Sequence, residues 1–181
     1  MTKPPKSKIY TRTGDTGFTK LISGKRVRKD DPKTTAYGSL DELNSILGVA
    51  TSFIRDKKIA AVIQNIQNEL FNIGAEIAGA GKFHIDATKI EGLEQLIDCY
   101  DQNLTNLETF ILPTGKASAT FLHQARTVCR RTEREVVNLA RKEKINPNLI
   151  AYLNRLGDLL FVLARYLNKK AGRREISWAK N

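Results

Sequence analysis

Beyond the first thirty residues, apolar side chains return every three or four positions along almost the whole chain. Leu40, Leu43, Leu47, Ala50 and Ile54 fall on one helical face, and Ile59, Ile63, Ile66, Leu70, Ile73 and Ile77 form a cleaner stripe after them. The first helix has two possible starts: Asp31 as N-cap with Pro32 in the first turn, or Ser39 with Glu42 as a capping box. The glycines of "AGAGKFHID" end the second helix. From about Thr88 to Leu104, Ile90, Leu93, Ile97, Tyr100 and Leu104 again keep helical spacing; "FILPTG" interrupts, and a long helix follows from about Lys116 to Lys144. Asn146-Pro147 gives a further cap and start, and Gly172 closes the last helix. Strand alternation is confined to a short piece near Lys8–Thr11. The pattern predicts an all-α protein, a five-helix antiparallel bundle of the ferritin-like, up-and-down kind, in a single domain: an N-terminal loop over 1–30, the bundle over 31–172 and a tail over 173–181.

Charge adds a second layer. The formal net charge of +11 is unevenly spread: Lys3–Lys33 holds ten Lys/Arg against three Asp, whereas Asp86–Glu108 holds one Lys against six acids. The excess of cations sits at the N-terminus, on the Arg126–Lys142 segment and in the tail. A solvated surface, a nucleic acid and a polyphosphate substrate all accommodate such a distribution. No apolar run approaches a membrane span, the basic start "MTKPPKSK" lacks the apolar region of a secretory signal, and the two cysteines, Cys99 and Cys129, form no CxxC pair. These features place the expectation in the cytoplasm, with reduced thiols.

Several chemistries fall away on spacing. "YTRTGDTGFTK" has the Gly and Thr content of a phosphate loop but neither the G-x-x-x-x-G-K-[ST] nor the G-x-G-x-x-G spacing. A di-iron bundle needs Glu-x-x-His pairs, and the two histidines, His84 and His123, follow Gly81 and Thr120 at that offset. Clustered Cys and His for zinc are also lacking, so no metal-ligating residue is assigned.

The helix "FLHQARTVCRRTEREVVNLARK" is more informative. On a wheel of about 100° per residue, Ala125, Cys129, Thr132, Val136, Leu139 and Ala140 make the apolar face. Arg126, Arg130, Glu133 and Arg134 share the adjacent sector, and Arg131 points farther round. Three guanidiniums bordering a buried stripe repel one another unless acids or an anion compensate. On these residues alone, an ion-pair ladder with Glu133 and Glu135 and a phosphate site remain equal alternatives. The next helix adds Asn154 and Asp158, one turn apart.

Taken together, "IYTRTGDTGFT", "KDDP", "AYGSLDELNS", "FILPTG", "ARTVCRRTERE" and "NRLGDLLFVLAR" resemble, in order and spacing, the PduO-type ATP:cob(I)alamin (corrinoid) adenosyltransferases. The resemblance covers nearly the whole chain. It implies a five-helix bundle assembled as a homotrimer, active sites between neighbouring subunits, and transfer of the 5′-deoxyadenosyl group of ATP to the cobalt of reduced cobalamin with release of triphosphate. By similarity, Thr11, Arg12, Thr13 and Gly14 fold over ATP, with Thr19, Lys20 and Lys29 completing the phosphate contacts. Arg130, Arg131, Thr132, Glu133 and Arg134 match the nucleotide-binding run, and Asn154 another nucleotide contact. Arg126 matches an arginine that pairs across the subunit boundary with an aspartate, here Asp41. Phe110 matches the phenylalanine that displaces the corrinoid's lower ligand, and Asp158 stands where the family usually carries an acid near the active site. The chain departs from the family pattern at Thr114, often a second glycine, and at Thr132, often an alanine. Mg²⁺ accompanies ATP in this reading, and an electron-donating reductase and a cobalamin-dependent enzyme are the partners it implies, with no nucleic acid and no membrane. Two rivals stand beside it: a basic helical nucleic-acid-binding protein, for which no named module or interleaved aromatics are found, and a non-catalytic trimeric scaffold.

Overall fold

The computed structural model describes residues 7–179; the basic residues Lys3 and Lys6 and the final two positions of the expected tail lie outside the described residues. Five helices carry the fold: α1 (Pro32–Ser52), α2 (Lys57–Ile77), α3 (Ala87–Asp101), α4 (Ala117–Ala140) and α5 (Asn148–Lys170). Three begin at an aspartate. The Asp31 carboxylate accepts from the Lys33 amide, Asp56 from Lys58 and Ile59, and Asp86 from Lys89. With Pro32 in its first turn, α1 takes the earlier of its two possible starts and runs straight through Ser39. Asn146 Oδ1 accepts from the Asn148 amide at 3.0 Å, so α5 starts one residue beyond Pro147.

Two ends fall short of the expected positions. α3 stops at Asp101, and Leu104 lies in a turn closed by its amide on the Asp101 carbonyl at 2.7 Å. α4 stops at Ala140, where the Lys142 amide turns back to the Leu139 carbonyl. The short strand expected near Lys8–Thr11 is absent there. Strands occur instead at β1 (Phe18–Lys20) and β2 (Arg26–Arg28), an antiparallel hairpin pairing Phe18 with Arg28, Thr19 with Val27 and Lys20 with Arg26. Leu21 and Val27 are its buried anchors, and Gly24 takes φ +87° in its turn. Ile9 and Tyr10 are exposed and have no such anchor.

Consecutive helices alternate in direction, as the up-and-down reading requires. α1 packs on α2 and α4, α4 on α5, and α5 on α3, so the lateral order is α2–α1–α4–α5–α3. The α3 and α5 axes run the same way, with Glu94 beside Arg155 and Tyr100 edge-on to Tyr166. Every residue of the α2 stripe is buried, along with Leu40, Leu43, Leu47 and Ala50 of α1. At about 1.5–3 kcal/mol for each fully buried large aliphatic side chain, this continuous core holds the scaffold on which the polar sites stand. No helix among the described residues is long and apolar enough to cross a membrane.

Candidate active site

The N-terminal polar loop folds as successive turns against the hairpin. The Gly17 amide donates to the Gly14 carbonyl at 3.2 Å, and the Lys29 amide to the Gly17 carbonyl at 2.9 Å. Thr11 and Thr13 join their hydroxyls at 2.8 Å, and Arg12 adopts φ +58°, unusual for a non-glycine residue. A Cβ at Gly14 would stand 3.2 Å from Lys29 Nζ, so the ammonium lies directly over the turn. Thr19 and Lys20 follow on β1, and among the described residues neither Lys20 nor Lys29 is paired with a carboxylate. Lys20 and Asp41 also line a cleft of about 570 Å³ on the α1/α2 seam, walled by Tyr37, Phe71 and Phe83.

The second polar cluster stands on α4 and α5. Arg130 and Arg134 are exposed, and neither has a carboxylate partner among the described residues. Glu133 and Glu135 make no ion pair there either; Glu133 accepts instead from Asn154 Nδ2 at 3.0 Å. The ladder reading of this helix therefore fails. Asn154 in turn accepts from Arg155, which reaches Glu94 at 2.7 Å and Asp158 at 3.8 Å. Gly157 leaves room for Arg130, whose Cγ would sit 3.7 Å from a Cβ at that position. Arg130, Glu133 and Arg134 border a hollow of about 370 Å³ that Val137, Asn138 and Arg141 complete. Those last three went unnamed in the sequence reading, although i+4 and i+7 spacing from Arg134 places Asn138 and Arg141 on the same face.

The rest of the arginine run divides. Arg131 forms an ion pair with Glu42 of α1. Thr132 is fully buried, and its hydroxyl donates to the Val128 and Ser39 carbonyls, so its side chain serves the α1·α4 contact. Arg126 is half-buried over the Phe161 ring, at 5.7 Å, with a buried Nε that has no acceptor. Burial lowers its pKa first, and the like charge of Arg130 adds to that. His123, one turn earlier and buried, also faces Phe161; burial and then Arg126 push it down to about 4, so it is neutral near pH 7. Asp41 and Arg126 do not meet within the chain: one borders the α1/α2 cleft, the other the α4/α5 seam.

Phe110 is 80% exposed, which excludes a role as a core plug. Its loop is held from two sides. The Asn168 amide of α5 receives the Lys116 N–H at 3.1 Å and donates to the Thr114 carbonyl at 2.8 Å, bracketing Gly115. From the other side, the tail pairs with the loop through an Ile111–Ser177 bridge.

The bundle thus presents cations without carboxylate partners among the described residues at the N-terminal turns and on α4, and an exposed aromatic ring on a braced loop, which is the surface of a helical protein suited to a polyanionic ligand. The chain belongs to the cobalamin adenosyltransferase family, whose model matches residues 9–167. It is 42% identical to a cobalamin adenosyltransferase of Cupriavidus metallidurans over 96% of this chain and 95% of that protein. It is 37% identical to a corrinoid adenosyltransferase of Bacillus subtilis over 96% and 93%. A variant PduO-type ATP:corrinoid adenosyltransferase from Lactobacillus reuteri, solved with cobalamin and ATP, superposes with a TM-score of 0.91 at 36% identity, covering 96% of this chain and 97% of that one.

Proposed function

We infer that the protein is an ATP:corrinoid adenosyltransferase, which transfers the 5′-deoxyadenosyl group of ATP to the cobalt of a reduced corrinoid. The observation that carries this reading is the row of Arg126, Arg130 and Arg134, left without carboxylate partners among the described residues beside the Glu133–Asn154 pair, in a chain of this family. Cobalt in its lowest oxidation state attacks C5′ with its electron pair. The cobalt–carbon bond forms, the C5′–O bond breaks, and triphosphate leaves with that bond's electrons. The attacking metal is itself the nucleophile, so no activated Ser or Cys is needed, and the protein's task is to position the reactants and support charge on the departing oxygen. Arg130, Arg134, Lys20 and Lys29, with the turn over Arg12–Gly14 and the hydroxyls of Thr11, Thr13 and Thr19, supply that support; Arg131 and Thr132 contribute from behind by fixing α4 against α1. Glu133 and Asn154 are assigned to the nucleoside, and Asp158 with Arg155 borders the same surface.

The separation of the two clusters supports an oligomeric site. Lys20 and Asp41 line the α1/α2 cleft, Arg126 and Arg130 stand beside Phe161 and Gly157 of α5 with Arg134 farther along α4, and the α1·α4 contact lies between. A neighbouring subunit brings one seam to the other, with Asp41 of one copy compensating Arg126 of the next, and a homotrimer closes that arrangement. Mg²⁺ would enter with ATP as part of the substrate and would share with the cations of the site the neutralisation of the triphosphate. Phe110 is assigned to the corrinoid, where an apolar ring replaces the lower axial ligand and makes the cobalt easier to reduce. An electron-donating reductase and an enzyme that uses adenosylcobalamin follow as partners in a reducing cytoplasm. Incubating the pure protein with ATP, magnesium and chemically reduced cobalamin tests the reading: conversion to the alkylcobalamin spectrum with release of triphosphate is expected, and an unchanged spectrum refutes it.

A further inference from the structure

We propose that Trp178 is the positioning residue for Phe110, and that the tail from Glu175 to Trp178 is the mount that presents this ring to the corrinoid. The inference rests on the reading of Phe110 given above. An 80% exposed phenylalanine in a loop between helices ordinarily samples several rotamers, and ordering it on binding would cost affinity. Here the ring is not left alone. Trp178 meets it edge-on, with centroids 6.4 Å apart and planes at 64°, within the range of a favourable aromatic pair. The backbone is fixed on the same strand: the Trp178 amide donates to the Phe110 carbonyl at 2.7 Å and the Leu112 amide to the Ile176 carbonyl at 2.8 Å, on either side of the Ile111–Ser177 bridge.

The tail is itself tied to the bundle. Arg165 on α5, only 4% exposed, holds Glu175 through Nε at 2.6 Å and Nη2 at 3.2 Å, and donates from Nη2 to the Thr105 carbonyl at 2.7 Å. One buried guanidinium therefore fixes the entry of the Phe110 loop and the start of the tail strand together. The pairing runs from a rigid helix, through Glu175 and the strand, to the ring of Trp178 and then to Phe110. Trp178 needs no contact with cobalt: it acts by limiting where the Phe110 ring can be.

Three full-length variants, Trp178→Ala, Trp178→Phe and Phe110→Ala, test this with ATP and cob(II)alamin. The readout is the four-coordinate cobalt(II) signal in electron paramagnetic resonance. Trp178→Ala is expected to lower that signal about two- to tenfold, the range an edge-to-face pair supports. The rate from cob(II)alamin with a reductant falls by a similar factor, and the rate from pre-reduced cobalamin falls less. ATP affinity and melting temperature stay at the parent values, since both rings lie outside the core. Trp178→Phe, which keeps an aromatic edge, restores most of the signal, and adding Trp178→Ala to Phe110→Ala lowers it no further. A parent-level signal in Trp178→Ala, with Phe110→Ala depleted, overturns the proposal while sparing the role of Phe110. A full signal in Phe110→Ala overturns that role and the mount with it. Loss of ATP affinity or melting temperature in Trp178→Ala in proportion to the signal reduces the tail to a stability element and also overturns the proposal.

Discussion

Gly115 is the position where one added methyl group has the largest calculable consequence for the Phe110 loop. Its φ of +123° lies where side chains are strained, and a Cβ there would fall 2.1 Å from Oδ1, 2.4 Å from Nδ2 and 2.5 Å from Cγ of Asn168. No non-bonded pair survives at that distance, so in Gly115→Ala either the Asn168 amide swings out or the loop lifts. The first route breaks the bonds to Lys116 N–H and the Thr114 carbonyl, at about 1 kcal/mol each net; the strained backbone adds about 1–3 kcal/mol. The sum, about 3–5 kcal/mol, is a large part of a typical domain's stability, and for a chain of this size it corresponds to a fall in Tm on the order of 10 °C.

Urea unfolding of Gly115→Ala, Asn168→Ala and the double variant separates the two parts. In the Asn168→Ala background the clash and both hydrogen bonds are already gone, so adding Gly115→Ala should cost only the backbone share, about 1–3 kcal/mol. At temperatures where Gly115→Ala is still folded, it should also lose more activity from cob(II)alamin than from pre-reduced cobalamin, because the displaced loop carries Phe110. A Gly115→Ala protein within about 1 kcal/mol of the parent, or a cost unchanged by the Asn168 background, would refute the bracket argument.

Arg130→Ala should weaken use of ATP by about 2 kcal/mol, the scale of a charge-assisted hydrogen bond, whereas Lys142→Ala changes little; steady-state kinetics with varied ATP checks both, and equal effects would sink the phosphate assignment. Asp41→Asn should cost activity by about 2 kcal/mol or more by leaving Arg126 uncompensated across a subunit boundary, with light scattering on the parent giving the mass of a trimer; a fully active monomer contradicts it. His123 sets an acid limit. Its folded pKa of about 4 lies below the ordinary 6.5, so the unfolded chain takes up its proton first as pH falls. The stabilisation from burying the neutral ring is full above pH 6.5 and lost on the way down to about 4, on the order of 3 kcal/mol in all. His123→Gln should flatten the pH dependence of unfolding in that window, and an unchanged slope would show that the ring does not titrate with folding.

The helices could be read from the sequence because their buried faces repeat. The α2 isoleucines and leucines sit at helical spacing and all six prove buried, and of the two starts that local chemistry offered α1, the structure takes Asp31-Pro32. The hairpin could not be read this way: strands of three residues are too short to show alternation, and Thr19 faces Val27 only because the turn at Gly24 folds one onto the other. The candidate site was legible to the same degree. A wheel correctly set Thr132 on the buried face of α4 and Arg130 with Arg134 outside it, since both follow from the angle per residue. That Glu133 turns to Asn154 and not to its neighbouring arginines depends on α5, twenty-one residues away. The Asn168–Lys116 bond, across fifty-two residues, and the pairing of the tail with the Phe110 loop are invisible to any local pattern for the same reason. Local spacing thus names which cations are exposed, and tertiary contacts decide which of them have lost their carboxylates to other partners. The arginines of α4 that no carboxylate compensates among the described residues, Arg130 and Arg134 on the exposed face and Arg126 half-buried beside Phe161, are the ones electrostatically open to a polyanion, whereas Arg131 already shares its charge with Glu42.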